Sequence, residues 1–284
     1  MLILGRNKTF HIKKTLVSFM LLMLAAVMFF PLFMIVMNSF KELRQFLANP
    51  LALPKPWTTD NYRLVIDKVD FFSLLLNNII VEVLSLILIV LFSSMAGFTI
   101  ARRPSKLKRI LYAYVVLGIT LPTFTVMIPQ ISLINKLGLE NTRIGLVLLY
   151  IAGGMPMGIF LFNGFFGSAP NELEDAAKID GCSYYRLFFN VYFPLSIATA
   201  ATLVLVQSIA IWNDTTMPAM LISDASKRTL MPELNTFYGR MLGQGTRWER
   251  IYAFASLCMA PMIILFFCVN KYLIRGVSEG AIKG

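Results

Sequence analysis

Six long apolar stretches account for about half of this 284-residue chain, and they decide its fold class. A helix needs roughly 20 mostly apolar residues to cross a bilayer, and each of the stretches meets that length. They cover residues 15–37, 74–100, 110–134, 144–166, 192–212 and 251–272. Charged residues make up only 14% of the chain, against about 25% in soluble globular proteins. We therefore predict an all-α transmembrane protein with six spans in a single membrane domain over 1–284.

Positive charge beside the apolar stretches predicts the orientation of the chain. Basic residues cluster before the first stretch and in the short loop 101–109, and the positive-inside rule places both clusters in the cytoplasm. They are Arg6, Lys8, Lys13, Lys14, Arg102, Arg103, Lys106, Lys108 and Arg109. Six spans then place both termini and the segment 167–191 in the cytoplasm, and the longer loops 38–73 and 213–250 outside. The formal net charge of +11 thus indicates topology and contact with anionic lipid, not nucleic-acid binding.

The sequence has no set of residues suited to catalysis, metal binding or ATP binding. His11 is the only histidine, which leaves no Ser-His-Asp triad and no histidine metal cluster. The cysteines Cys182, Cys258 and Cys268 lack the Cys-x-x-Cys spacing of zinc and redox sites. No Gly-x-x-x-x-Gly-Lys-Ser/Thr phosphate loop occurs. We therefore predict no catalytic residue, metal or cofactor in this chain, so active transport needs a partner that supplies energy.

A short polar segment between the fourth and fifth stretches has the pattern of an exposed helix. Pro170 fits a first helical turn, and the acidic residues Glu172, Glu174 and Asp175 follow where the helix dipole favours negative charge. Gly181 permits a left-handed stop. Small and apolar residues share one face at i, i+3 and i+4 spacing, namely Leu173, Ala176 and Ala177. A helix of this kind can pack into a groove of another protein, so the pattern predicts either a docking element or a solvated amphipathic loop.

This segment resembles the EAA loop of ABC importer permeases. The family pattern is Glu-Ala-Ala, three residues, Gly, nine residues, then Ile-x-Leu-Pro. Here it runs Asp175-Ala176-Ala177, Gly181 and Val191-Tyr192-Phe193-Pro194, with the spacing intact and Asp, Val and Phe replacing Glu, Ile and Leu. The form Ile179-Asp180-Gly181 resembles the carbohydrate, maltose-type branch of that family. Other family-like motifs are Trp212-Asn213-Asp214, Arg228-Thr229-Leu230 and the ending Gly280-Ala281-Ile282-Lys283-Gly284.

The resemblance implies a six-span ABC importer permease bundle in a bacterial cell membrane. It further implies that this permease works by alternating access and that its substrate is a sugar of the oligosaccharide class. It implies four kinds of partner: a homologous second permease subunit, two ATPase subunits that hold ATP and Mg, an extracellular solute-binding protein, and the carbohydrate substrate. It assigns ATPase coupling to Glu172, Leu173, Asp175, Ala176, Ala177, Asp180 and Gly181. It also implies a second ATPase contact in the tail, residues 278–284.

Polar residues in or beside the spans are candidates for a substrate path. They are Asn77, Asn78, Glu82, Gln207, Trp212 and Asn213. Sugars are bound through amide hydrogen bonds and aromatic faces, yet polar side chains also join helices in lipid. Glu82 lies inside the second span, where an ionisable group is costly unless it faces water or a partner. It either lines the path or bonds another helix, and the sequence leaves both alternatives open.

Helix-breaking residues predict kinked spans, and two other functions stay open. Pro122 and Pro129 interrupt the third stretch, as the segment 153–156 can interrupt the fourth, and kinked helices suit a bundle that lines a cavity. One alternative is an ABC permease for another solute, such as a polyol, a sugar phosphate or a peptide. The other is an intramembrane enzyme or an ion-coupled carrier. That class predicts a cluster of buried ionisable residues, and only Glu82 is clearly available.

Overall fold

The computed structural model describes the backbone of residues 3–281 and the side chains of residues 14–272, and this part of the chain holds helices and no strand. The α-helices are α1 Ile3–Ser39, α2 Leu43–Ala48, α3 Asp60–Val69, α4 Phe71–Arg102, α5 Lys106–Leu117, α6 Thr123–Lys136, α7 Arg143–Ser168, α8 Glu172–Ile179, α9 Tyr184–Arg186, α10 Phe193–Leu195, α11 Ile197–Trp212, α12 Thr216–Leu221, α13 Leu230–Gly243 and α14 Trp248–Ala281. Short 3-10 turns cover Gly118–Thr120 and Ala225–Lys227, and a π-helical segment covers Leu187–Tyr192. The prediction of an all-α transmembrane fold is confirmed.

Within the described part of the chain, four helices are long and apolar enough to cross a membrane. Two bent pairs of helices raise the number of spans to six if each pair counts as one span. The four are Lys14–Ser39, Phe71–Arg102, Arg143–Ser168 and Trp248–Tyr272. The bent pairs are Lys106–Thr120 with Thr123–Lys136, at 109°, and Tyr184–Leu195 with Ile197–Trp212, at 70°. All six predicted stretches overlap these elements, so the apolar pattern located the spans. That pattern does not contain the two bends.

Proline chemistry explains the larger bend. A residue that precedes proline is pushed out of the helical region, and Leu121 before Pro122 is extended, with φ −75° and ψ 124°. The helix ladder therefore stops, and α6 begins after Pro122. Pro129 lies within α6 and Pro156 within α7, and neither ends its helix. Of the two prolines predicted to interrupt the third stretch, only Pro122 separates two helices.

The chain divides into two compact units. The smaller unit comprises the residues up to Val69 together with Phe237–Cys258. Inside it, the buried Asn61 amide donates to the carbonyls of Ser39 and Lys41, both at 2.8 Å, and fixes the turn that follows α1. The prediction of a single membrane domain over 1–284 stays a prediction.

The larger unit comprises Asp70–Thr236 and the residues from Met259 onward. Its centre is the close side-by-side packing of α4 and α7, which glycine makes possible. A Cβ added to Gly97 would lie 2.8 Å from the Cβ of Phe162, so a larger residue does not fit there. Gly158 meets Ser93 in the same tight way further along. This packing sets the end of α4 beside the segment that follows α7.

Buried aromatic rings fill the space at that end of α4. The ring centre of Phe98 lies 5.6 Å from that of Phe166, 5.2 Å from that of Phe188 and 5.1 Å from that of Tyr192. All four side chains are buried. Aromatic pairs at these separations contribute beyond the area that they bury. These four rings form a buried cluster next to the predicted docking segment, and we call this cluster the aromatic base.

Candidate functional site

The predicted docking helix is present as α8, Glu172–Ile179. It begins after Pro170, carries acidic residues in its first turn, and ends where Gly181 takes a φ of +70°. The N–H of Cys182 donates to the carbonyl of Ala177 at 2.9 Å, and the N–H of Gly181 donates to that of Lys178 at 3.0 Å. This left-handed turn satisfies carbonyls that would otherwise lack partners. The sequence thus predicted the stop and its cause.

Glu174 is the buried acidic residue of α8, and three basic side chains surround it. Arg103 Nη1 donates to Glu174 Oε1 at 2.8 Å, Lys178 Nζ lies 3.2 Å from the same oxygen, and Arg102 Nε lies 3.8 Å from Oε2. Burial alone would raise the pKa of Glu174, but the hydrogen bonds from Lys178 and Arg103 hold that pKa below its usual range. The carboxylate is therefore charged and anchors α8 to the end of α4.

Arg102 fastens the start of the same segment. Its Nη1 donates to Asn171 Oδ1 and its Nη2 to the carbonyl of Pro170, both at 3.0 Å. Its Nε donates to the hydroxyl of the buried Tyr192 at 2.8 Å, and its guanidinium lies 4.8 Å from the centre of that ring. One guanidinium thus joins the entrance of α8, the end of α4 and the aromatic base. We call Arg102, Arg103, Glu174 and Tyr192 the basic bracket.

The opposite face of α8 is exposed in the part of the chain that the structure describes. Ile179 at the end of α8 is 87% exposed, although its side chain is large and apolar. The other exposed members are Glu172, Asp175, Ala176, Asp180 and Gly181. Leu173 is half-buried and Ala177 is buried against the aromatic base. The predicted coupling residues therefore separate into five that face outward and two that hold the helix in place.

Two of the predicted substrate-path residues hold a loop. Asn77 Nδ2 donates to the carbonyls of Ser226 and Arg228 at 2.8 and 2.9 Å. Asn78 Oδ1 accepts from the N–H of Leu230 at 3.3 Å. Both side chains are buried, and both join the start of α4 to the segment before α13. These contacts serve structure, and a part for either residue in a substrate path stays a prediction.

The other path candidates occupy different surroundings. Trp212 is buried, and Asn213 is exposed with its amide donating to the carbonyl of Ile209 at 2.8 Å. Glu82 is buried, with a hydrogen bond between its carboxyl group and Ser208. Its Oε1 has no hydrogen-bond partner among the described residues. Glu82 therefore contacts another helix, and a part for it in a substrate path stays a prediction.

The basic bracket lay outside the sequence prediction. Arg102 and Arg103 contributed only to orientation there, and Glu174 only to the helix dipole. These residues are far apart along the chain, and no motif links them. The predicted tail contact at 278–284 lies outside the residues whose side chains are described. Within the described residues, no group of three or more His, Cys, Asp or Glu side chains could hold a metal ion.

Comparisons with known proteins identify the family of this chain. Residues 89–279 match the family model described as "Binding-protein-dependent transport system inner membrane component". The chain is 31% identical over 96% of its length, and 98% of the relative's, to a probable starch degradation products transport system permease protein of Thermoanaerobacterium thermosulfurigenes. It is 28% identical over 99% of both chains to a melibiose/raffinose/stachyose import permease protein of Bacillus subtilis.

A solved structure shares the fold. One chain of a bacterial ABC transporter involved in the import of the acidic polysaccharide alginate superposes with a TM-score of 0.77. The match covers 92% of this chain and 96% of that one, at 21% sequence identity. This likeness supports the helical architecture described above.

Proposed function

Since the chain belongs to the family of binding-protein-dependent transport system inner membrane components, we propose that it is one permease subunit of an ATP-driven importer of sugars, with oligosaccharides as the substrate class. Relatives over nearly the whole length carry the names of starch-product, melibiose/raffinose/stachyose and arabinooligosaccharide permeases, which supports the substrate class. The chain itself is no enzyme in this proposal. A homologous second permease, two ATPase subunits that hold ATP and Mg, and a solute-binding protein complete the importer.

The basic bracket is the observation that carries the coupling part of the proposal. The outward face of α8, with Ile179 at its end, docks on an ATPase subunit. A movement of that subunit on ATP binding displaces α8, and the contact between Glu174 and Arg103 transmits this displacement to the end of α4. The contact between Arg102 and Tyr192 transmits it to the aromatic base. Because buried charged contacts tolerate little change in geometry, α8 and the end of α4 move together and drive alternating access.

Orientation follows from the same contacts. The loop that holds Arg102 and Arg103 is short and basic, so it belongs in the cytoplasm. Since Arg103 bonds Glu174, α8 lies on that side as well. We propose a multi-pass protein of the bacterial cell membrane with both termini and the segment 167–191 in the cytoplasm. This is the side on which ATP is available.

The test is reconstitution of the importer. The chain is purified with the proteins that accompany it and placed in proteoliposomes with ATP inside and the solute-binding protein outside. We expect uptake of an oligosaccharide such as raffinose or maltotriose that depends on ATP and on the binding protein. Vesicles loaded with a non-hydrolysable ATP analogue are the control. Uptake driven equally well by an ion gradient without ATP would contradict the proposal and favour a carrier.

A further inference from the structure

A cavity of about 520 Å³ lies within the larger unit, between α6, α7, α11 and the start of α12. Pockets that hold small ligands measure about 300–1,000 Å³, so this one has room for a ligand. Its walls are mostly apolar, with a few polar side chains that converge from different helices. That combination is typical of a site that binds and orients a ligand. Of the predicted path residues that the structure describes, Gln207 alone lines it.

Two unbonded amides line the cavity. Gln130 on α6 and Gln207 on α11 both border it. Neither side chain makes a hydrogen bond within the described part of the chain. Each amide offers two N–H donors and a carbonyl acceptor, which match the mixed donor and acceptor character of a sugar hydroxyl. Their free groups distinguish them from Asn77 and Asn78, whose amides are bonded to backbone.

An aromatic face and a hydroxyl complete the set. Phe124 borders the cavity and is 72% exposed in this chain, and Tyr150 faces it from α7. Apolar C–H faces of a sugar ring pack on such rings while its hydroxyls bond polar groups nearby. The Tyr150 hydroxyl donates to Asp214 Oδ2 at 3.0 Å, which fixes its position and leaves its oxygen free to accept.

The charge in the cavity is negative. Asp214 is the acidic residue of the lining, and the described lining residues include no Lys, Arg or His. Asp214 Oδ1 already accepts from the N–H groups of Thr216 and Met217 at 2.9 and 3.2 Å, so its position is set by the protein. An anionic ligand would lose its water here without gaining a basic partner, which is strongly unfavourable.

We propose that this cavity is a subsite of this subunit for an uncharged glycosyl unit, bound by the Gln130 and Gln207 amides and by the Phe124 ring. This inference rests on the proposed function and adds the place and the charge of the ligand. The cavity excludes uronate, sulfated and phosphorylated sugars because it offers no cation for their anionic groups.

Two glycines of α7 provide a matched test. A Cβ added to Gly153, which lines the cavity, or to Gly164, which lies outside it, meets nothing within 4 Å. Both residues are exposed. Gly153→Leu therefore adds side-chain volume at the cavity wall from an unobstructed Cβ, and Gly164→Leu makes the same change of residue elsewhere on the helix. The reconstituted importer is assayed for uptake of whichever of raffinose and maltotriose it transports, at a concentration below saturation and per assembled complex.

We expect Gly153→Leu to lower uptake at least about tenfold and Gly164→Leu to leave it within about twofold. Gln207→Leu, which preserves size, should lower it about fivefold to tenfold through the lost amide. Complex yield should stay at the wild-type level. If Gly153→Leu prevents assembly, Gln207→Leu with normal yield decides the question.

Two failures are distinguishable. A wild-type complex that imports no sugar would overturn the proposed function. A wild-type complex that imports raffinose or maltotriose, with Gly153→Leu and Gln207→Leu at wild-type uptake, would overturn the subsite alone. Trigalacturonate is the charge probe. Its import by the wild-type complex at a rate equal to that of the uncharged sugar would also overturn the subsite, since the described lining has no positively charged partner for a carboxylate.

Discussion

Glu174→Gln should loosen α8 from the rest of the protein without unfolding the protein. The change keeps the size of the side chain and removes the charge that three basic groups share. The side chain of Arg103 is 49% exposed, so solvent screens its pair with Glu174 to about 0.5 kcal/mol, and the pair with the 55% exposed Lys178 is left out of the sum. Arg102 is 7% exposed, and its ion pair with the carboxylate contributes about 1 kcal/mol. The total loss is about 1.5 kcal/mol, or roughly a tenfold rise in the undocked population of α8.

Hydrogen–deuterium exchange measures that population directly. Amides in residues 172–181 should exchange about tenfold faster in Glu174→Gln, while amides of α4 and α7 keep the wild-type rate. Asp175→Asn is the matched control. It removes the same charge from a side chain that is 69% exposed and pairs with Lys178 at 3.4 Å, so exchange should change by about twofold at most.

Two results would refute the reasoning. Wild-type exchange in Glu174→Gln would show that the carboxylate does not hold the helix. Equal acceleration in Asp175→Asn would show that net charge, and not the buried contact, sets the stability of α8. If the expected pattern appears, the same variant in the reconstituted importer should hydrolyse ATP with less sugar moved per ATP.

The remaining predictions concern pH, the turn after α8 and topology. Because the pKa of Glu174 is lowered in the folded protein, its contribution is complete above the ordinary Glu pKa of about 4.3 and is lost as pH falls through the lowered value. Protection of 172–181, corrected for intrinsic exchange, should thus be constant from pH 7 to pH 5, and a loss between pH 7 and 6 would contradict this. Gly181→Val should strain a turn with φ +70° by about 1–2 kcal/mol and weaken ATPase association while membrane insertion persists; wild-type association and transport would contradict it. In a chain without native cysteines, Ser105→Cys and Ser183→Cys should resist an impermeant thiol reagent added outside sealed cells, and Ser226→Cys should react; all three positions are exposed, so external labelling at 183 would contradict the orientation.

Local chemistry made the spans and α8 predictable from sequence. Apolar length alone located all six stretches. Pro122 predicted an interruption of the third stretch, and the structure shows Leu121 extended there. Gly181 marked the end of α8, and the structure shows the left-handed turn there. In each case the cause lies within a few residues of its effect, which is why one sequence suffices to see it. The size of each bend depends on packing and was not predictable.

Contacts between distant segments were not predictable in the same way. Arg102 carried a correct signal for orientation, but nothing near it in the sequence points to Tyr192. Polarity within a span identifies a residue worth attention without showing which way it faces. Asn77, a predicted path residue, donates to two loop carbonyls, whereas Gln130 attracted no attention in the sequence and borders a cavity. Only the arrangement of helices separates these two roles.

Contact between α8 and an ATPase subunit is the central claim, and photo-crosslinking from Ile179 tests it most directly. A benzoylphenylalanine at this 87% exposed position should form an adduct with a protein that contains a Gly-x-x-x-x-Gly-Lys-Ser/Thr phosphate loop, identified by mass spectrometry of the purified importer. The same group at Ile87, which is 57% exposed within the span Phe71–Arg102, should give no such adduct. An ATPase that is present in the complex and crosslinks to neither position, or equally to both, would contradict the account.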